Sequence, residues 1–392
     1  MPALGATPKW KRDTLPDMCL ALWFLLLAAA PGSAQNKARD LGIRLEGAAG
    51  TLDAITDVAG VEVGHRTLIA GDNVRTGVTA IWPRGKQSND PVFAGFFAQN
   101  GNGDMTGTHW IEESGFLDGP VLITNTNSVG VVRDAYLEWL VKNHRSPGVN
   151  VFEGGFFTYP VVAETYDGFL NDINGFHVKP EDVALALETA RGGAVAEGNV
   201  GGGTGMICYG FKGGIGTASR RIAGGYTVGI LVQCNCGSQR QLRIAGVPVG
   251  EELASPPRAS AGHPYREDAG SIIIVAATDA PLLPHQAKRL ARRATMGLAR
   301  TGSISGNQSG DIFLAFSTAN RHIAAATSPA PAMMMPNDSL NPVFEGVVQA
   351  TEEAIINAML AAESMTGVNG HRVTALPRER LRELLRKYGR LQ

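Results

Sequence analysis

The chain has 392 residues, 44% of them hydrophobic and 18% charged, with a formal net charge of −1, the composition of a globular protein able to bury a sizeable core. It has no long basic run, and phosphate binding needs clustered Lys and Arg, so nucleic acid is not expected as a partner.

The first 34 residues differ from the rest. Lys9, Lys11 and Arg12 form a basic start, an apolar run extends from Met18 to Ala30, and small residues lead to Ala34. This pattern reads as a secretory signal cut after Ala34, because a spanning helix wants about 20 apolar residues. Export to the periplasm or medium is the expectation, with no stable membrane association once the signal is gone.

After the signal, Ile55 to Leu68, Thr76 to Pro83 and Gly119 to Gly130 read as short β-rich runs bounded by Gly, Pro, Asn and Asp. Val132, Tyr136, Leu137, Leu140 and Val141 recur at helical intervals, which predicts a helix over Val131 to His144 with one apolar face. A second helix is expected over Lys179 to Arg191, with Pro180 in its first turn.

Beyond it lie "GIGTASRRI", "YTVGILVQCNCG" and "SIIIVAATDAPLLP", whose continuously apolar centres suit strands buried on both faces. His285 to Thr301 and Asn341 to Glu363 read as amphipathic helices. Strands and helices are interleaved, so one domain is expected, with Gly250 to Asp268 as a surface loop.

The glycine-rich stretch Gly198 to Gly214 contains one lysine and no Gly-x-x-x-x-Gly-Lys-Ser/Thr match, so its glycines are read as permitting close backbone approach and positive φ. The eight histidines form no His-Glu-x-x-His pair, and no metal is expected. With Cys19 in the signal, Cys208, Cys234 and Cys236 remain. They are read as small buried hydrophobes, the last two facing opposite ways from a strand end.

The stretch "SGNQSGDIFLAFSTAN", Ser305 to Asn320, joins a polar turn to an apolar strand with Ser309 at the junction. A Gly-x-Ser-x-Gly elbow is absent, since Asn307 and Asp311 hold the glycine positions. Ser309 can still be a nucleophile if the Gln308–Ser309 bond is cut. Its new α-amine, with an ordinary pKa of about 7.7–8.0, would then take the hydroxyl proton.

Together with "GNGDMTGTHW", "PVVAETYDGFLNDINGFHV", "AEGNVGGGTGMICYGFKGGIGTASR", "VGILVQCNCG", "ATDAPLLPHQAKRLARRA" and "VVQATEEAIINAML", this stretch resembles the DmpA-type aminopeptidases. These form the L-aminopeptidase/D-esterase and β-aminopeptidase group of self-processing serine peptidases. The resemblance implies an α/β fold, a four-layer αββα sandwich of the N-terminal-nucleophile kind. It also implies self-cleavage into an α chain, 35–308, and a β chain, 309–392, and a homo-tetramer of αβ heterodimers without cofactor.

By the same resemblance Ser309 is the nucleophile and Tyr209 holds the oxyanion. A second oxyanion donor, an asparagine, falls at Asn235 or near Asp279, and Asn235 is preferred because an ionised Asp cannot donate. Thr351 and Glu353 would orient the new α-amine. The substrate ammonium of a small peptide or amino-acid amide needs a carboxylate, with Glu197 the first choice and Glu164 the second. The family usually carries Gly or Asn before the scissile serine, and Gln308 departs from that.

Two other readings remain at this stage. One is an acyltransferase related to the ornithine acetyltransferases, whose nucleophile is usually Thr. The other is a non-catalytic periplasmic peptide-binding protein.

Overall fold

The computed structural model of the protein describes residues 37–254 and 270–391. The expected signal, 1–34, and most of the expected Gly250 to Asp268 loop lie outside the described residues. The loop's start, Val249–Leu253, is a short helix.

Alternation along single strands determines the layering. In Ser271–Thr278, Ile273, Val275 and Ala277 enter one apolar cluster while Ile272, Ile274 and Ala276 enter another, as a two-residue side-chain period requires. Among the described residues this strand lies in a six-stranded sheet, which also holds Gly214–Arg221, Thr227–Asn235, Ile312–Ser317, Val92–Ala98 and Phe116–Leu117. A four-stranded sheet is built from Glu62–Ala70, Val74–Trp82, Val121–Asn125 and Val161–Thr165.

Ile81, Ile123 and Ala163 of the smaller sheet share one cluster with Ile273, Leu314 and Phe316 of the larger, so the two sheets pack face to face. The outer face of the larger sheet is covered by Pro284–Arg300 and Asn341–Ala361, through Leu290, Ala294, Val347 and Ile355. Val129–Lys142 and Pro180–Glu188 cover the smaller sheet through Val132, Tyr136, Val183 and Leu187. Helix, sheet, sheet, helix is the expected αββα order.

Ser271–Thr278 and Ile312–Ser317 run parallel as neighbours, a pairing that needs a crossover. Pro284–Arg300 supplies it and returns the chain to the same end of the sheet. The strands Val92–Ala98 and Val161–Thr165 and the helix Arg378–Lys387 add to the elements expected from the sequence.

The cysteines correct the sequence reading. Cys208 and Cys234 form a disulfide with Cα atoms 5.9 Å apart. Cys236 is free and buried, its sulfur 3.6 Å from that of Cys234. Residues two apart on a strand face the same way, so Cys234 and Cys236 share a face. Cys208 reaches them because the Ile207–Cys208 strand turns back beside the end of Thr227–Asn235.

Candidate active site

Ser309 lies at the head of Ile312–Ser317, a strand paired on both sides, with Ser271–Thr278 and with Val92–Ala98. The residue is 5% exposed. Its hydroxyl donates to Asp311 Oδ1 at 2.5 Å, its amide to Gly306 O at 2.9 Å, and the amide of Gly310 to Ser271 Oγ at 3.1 Å. Both neighbouring strands therefore hold the backbone on which the hydroxyl sits.

A second segment, 99–104, lies across this junction. Gln99 and Asn100 donate their amides to Asp311 O, Asn100 Nδ2 donates to Ser305 O and Gly306 O, and Asn102 Nδ2 donates to Gln308 O at 2.7 Å. Packing is tight enough that a Cβ on Gly310 would lie 2.3 Å from Asn102 O. Sequence reading did not single out Asn102 or assign a role to Asp311. The "GNGD" and "SGD" stretches contained them, but nothing in the order of residues says that two segments 206 positions apart at Asn102 and Gln308 meet.

Glu164 is the carboxylate that this segment brings to the junction. A Cβ on Gly103 would be 3.3 Å from Glu164 Oε1 and 3.2 Å from Gly310 Cα, so little more than a methyl group's space separates the carboxylate from the residue after Ser309. Glu164 accepts from the Asp104 amide at 3.0 Å and from Thr126 Oγ1 at 2.5 Å. Burial pushes its carboxyl above the usual range, which a cationic partner would offset.

Asn235 and Tyr209 approach from the other side. Asn235 pairs with Ser271 across the strands, and Ser271 is bonded to Gly310. Asn235 Oδ1 accepts from the Ile207 amide at 2.8 Å, which turns the Nδ2 donors the other way. Asp279 accepts from the Thr227 amide at the opposite end of the sheet, beside the Thr278–Ser317 pair. Asn235 is therefore the better placed of the two.

The Tyr209 hydroxyl lies 2.7 Å from Thr301 Oγ1. Thr301 Oγ1 gives its own proton to Leu298 O at 2.7 Å, so Tyr209 is the donor. Burial holds its phenol well above its ordinary pKa, and it stays a neutral donor. Burial pushes the Cys236 thiol well above its ordinary pKa.

The remaining expected residues are engaged elsewhere. Glu197 pairs with Lys37 at 3.1 Å and accepts from the Thr217 amide at 2.8 Å, and burial pushes its carboxyl up to about 7. Glu353 is held by Arg220 at 2.5 Å and Arg39 at 2.9 Å. Thr351 is buried where Pro284–Arg300 and Asn341–Ala361 touch, its Cβ 2.5 Å from where a Cβ on Gly297 would stand. Among the described residues no hydrogen bond joins Glu197, Thr351 or Glu353 to Ser309. Sequence order could not show the cations that neutralise Glu197 and Glu353.

Among the described residues the grouping of possible metal ligands is Cys208, Cys234 and Cys236. Two of those sulfurs form the disulfide, and a metal takes thiolate rather than disulfide sulfur. Lys212, in the glycine-rich stretch, is fully buried and donates to Met206 O and Gly213 O, both at 2.8 Å. It therefore faces backbone carbonyls and no phosphate cradle.

Comparison with known proteins agrees with the fold. Residues 53–373 match peptidase family S58. The chain belongs to that family. It is 53% identical to the β-peptidyl aminopeptidase of Sphingosinicella microcystinivorans, covering 94% of this chain and 96% of the relative. Among solved structures it is similar to the L-aminopeptidase D-Ala-esterase/amidase of Ochrobactrum anthropi, described as a variant of the Ntn hydrolase fold. That match has a TM-score of 0.83 and 49% identity over 91% of this chain and 99% of that one. A Burkholderia β-aminopeptidase gives a TM-score of 0.81 and 48% identity over 90% and 99%. The S58 chain is thus a hydrolase with an Ntn hydrolase fold, and its relatives are aminopeptidases.

Proposed function

We propose that the chain is an exported serine aminopeptidase that activates itself by cutting the Gln308–Ser309 bond, leaving an α chain, 35–308, and a β chain, 309–392. It would remove N-terminal residues from short peptides, amino-acid amides or esters, with β-amino acids among them, as a homo-tetramer of αβ heterodimers. The observation that carries this reading is Ser309 itself. It is a buried serine at the head of a central strand whose preceding peptide carbonyl is already held by a side-chain amide.

Once cut, Ser309 has a free α-amine able to accept the hydroxyl proton near neutral pH. Ser309 Oγ would attack the substrate carbonyl, with Asn235 Nδ2 as an oxyanion donor, and the Tyr209 hydroxyl would join it only by turning its proton away from Thr301 Oγ1. The protonated α-amine would return its proton to the leaving amine, and water would hydrolyse the ester. Glu164 would receive the substrate's ammonium. Family S58 is a peptidase family, which weighs against the acyltransferase and the inert binding protein.

The test is intact mass and hydrolysis of aminoacyl p-nitroanilides, for wild type and Ser309→Ala. We expect two fragments, one starting at Ser309, and activity in wild type, against one silent chain in the variant. A wild-type chain that stays whole yet hydrolyses the amide would defeat the reading.

A further inference from the structure

Three sulfurs meet in the core where a disulfide needs only two. Cys208 and Cys234 are bonded, and the free Cys236 Sγ lies 3.5 Å from Cys208 Sγ and 3.6 Å from Cys234 Sγ. We propose that Cys236 is an internal exchange partner for this bond, so that the protein carries one disulfide with two alternative pairings, Cys208–Cys234 and Cys208–Cys236.

The backbone already permits both. A disulfide joins Cα atoms about 4.4–6.8 Å apart, and those of Cys208 and Cys234 stand 5.9 Å apart. Cys236 is placed as well as Cys234, because the amide of Tyr209, the residue after Cys208, donates to Cys236 O at 2.7 Å. The two backbones therefore lie side by side at about the 5 Å spacing of neighbouring strands. Cys234 and Cys236, two residues apart, turn the same face toward Cys208. Closing the 3.5 Å gap to a bond of about 2.05 Å takes a swing of side chains and no change of main-chain path.

Burial decides which thiol can act. All three cysteines are 0% exposed and share an apolar cluster with Leu242 and Ile272, so a dissolved thiol does not reach the bond. Cys236 stands beside it at the high effective concentration of an intramolecular reactant. In the exchange, Cys236 gives up its proton and its sulfur attacks Cys208 Sγ. The Cys208–Cys236 bond forms as the Cys208–Cys234 bond breaks, and the departing Cys234 sulfur takes up the proton. No electrons enter or leave, so neither oxidant nor reductant is consumed. Burial holds the Cys236 thiol in its protonated form, and attack along the S–S axis requires a sulfur to swing first, so the exchange belongs on the scale of minutes to hours. Either bond ties the Ile207–Cys208 strand to the end of Thr227–Asn235, and the glycine-rich stretch keeps its anchor throughout.

The experiment locates the free thiol. Full chain purified without reductant is unfolded in mildly acidic denaturant containing N-ethylmaleimide, at rising reagent concentrations, and peptide mass spectrometry reads which cysteine carries the label. Wild type should carry it on Cys236 in some molecules and on Cys234 in the others, in a ratio that does not depend on reagent. Cys234→Ser, folded with glutathione disulfide as the oxidant, should lose two hydrogens by intact mass and take up no label, and Cys236→Ser should do the same through Cys208–Cys234. Cys208→Ser should take up label at both remaining cysteines. Wild-type label confined to Cys236 as reagent is raised, or two labels on folded Cys234→Ser, would overturn the proposal. Should Cys234→Ser fail to fold by circular dichroism, the wild-type map decides alone.

Discussion

Glu164 and Glu197 are both buried acids, and their partners separate them. Lys37 already neutralises Glu197, so adding a substrate ammonium there would place two cations on one carboxylate. Among the described residues Glu164 accepts from donors without charge, an amide and a hydroxyl, and it lies against Gly103 beside the nucleophile's strand. We therefore expect Glu164→Gln to raise KM for substrates with a free amine about tenfold or more, worth about 1.4 kcal/mol, with a much smaller change in kcat. Glu197→Gln should leave KM nearly unchanged. Michaelis curves on an aminoacyl p-nitroanilide decide this, and a KM effect confined to Glu197→Gln would reverse the assignment.

At the scale of elements, the site depends on how closely segment 99–104 can lie on the start of Ile312–Ser317. Gly310 permits that approach, since any Cβ there would collide with the Asn102 carbonyl. Gly310→Ala should force the two segments apart, cost about 1–3 kcal/mol in the manner of overpacked cores, and slow the appearance of the Ser309 fragment. Melting and intact mass of the same preparation report both effects, and an unchanged cutting rate would argue against the clamp. This contact also shows where sequence reading stops. A continuously apolar centre made the central strand Ser271–Thr278 legible, and helical spacing did the same for Val129–Lys142. Ser309 was legible because its motif is continuous. Asn102 was not, because its partner Gln308 is remote in sequence and "GNGD" is also ordinary turn chemistry. The Cys208–Cys234 bond was hidden for the same reason, its ends standing 26 positions apart.

Across the whole molecule, the cut would leave one sheet made from two chains, since Ile312–Ser317 is hydrogen-bonded on both sides to strands that precede Ser309. Cohesion then rests on burial, and burial has taken in ionisable groups whose charge the fold must manage. Arg220, 1% exposed, meets Glu353 and stays paired. Among the described residues Lys212 has no anion as a hydrogen-bond partner, donating to the carbonyls of Met206 and Gly213, and desolvation lowers its pKa from 10.5 to about 7. Between those two values the unfolded chain binds a proton at this lysine that the folded chain does not, so its contribution makes stability rise with pH across that window. Below about 7 both states carry the charge and the folded one bears it without a counter-ion. Lys212→Met removes the titration while keeping much of the apolar stem. Measured by denaturant unfolding in series from pH 6.5 to 10, the difference in stability between wild type and Lys212→Met should shift toward wild type as pH rises. A constant difference would mean that Lys212 is charged in the fold throughout.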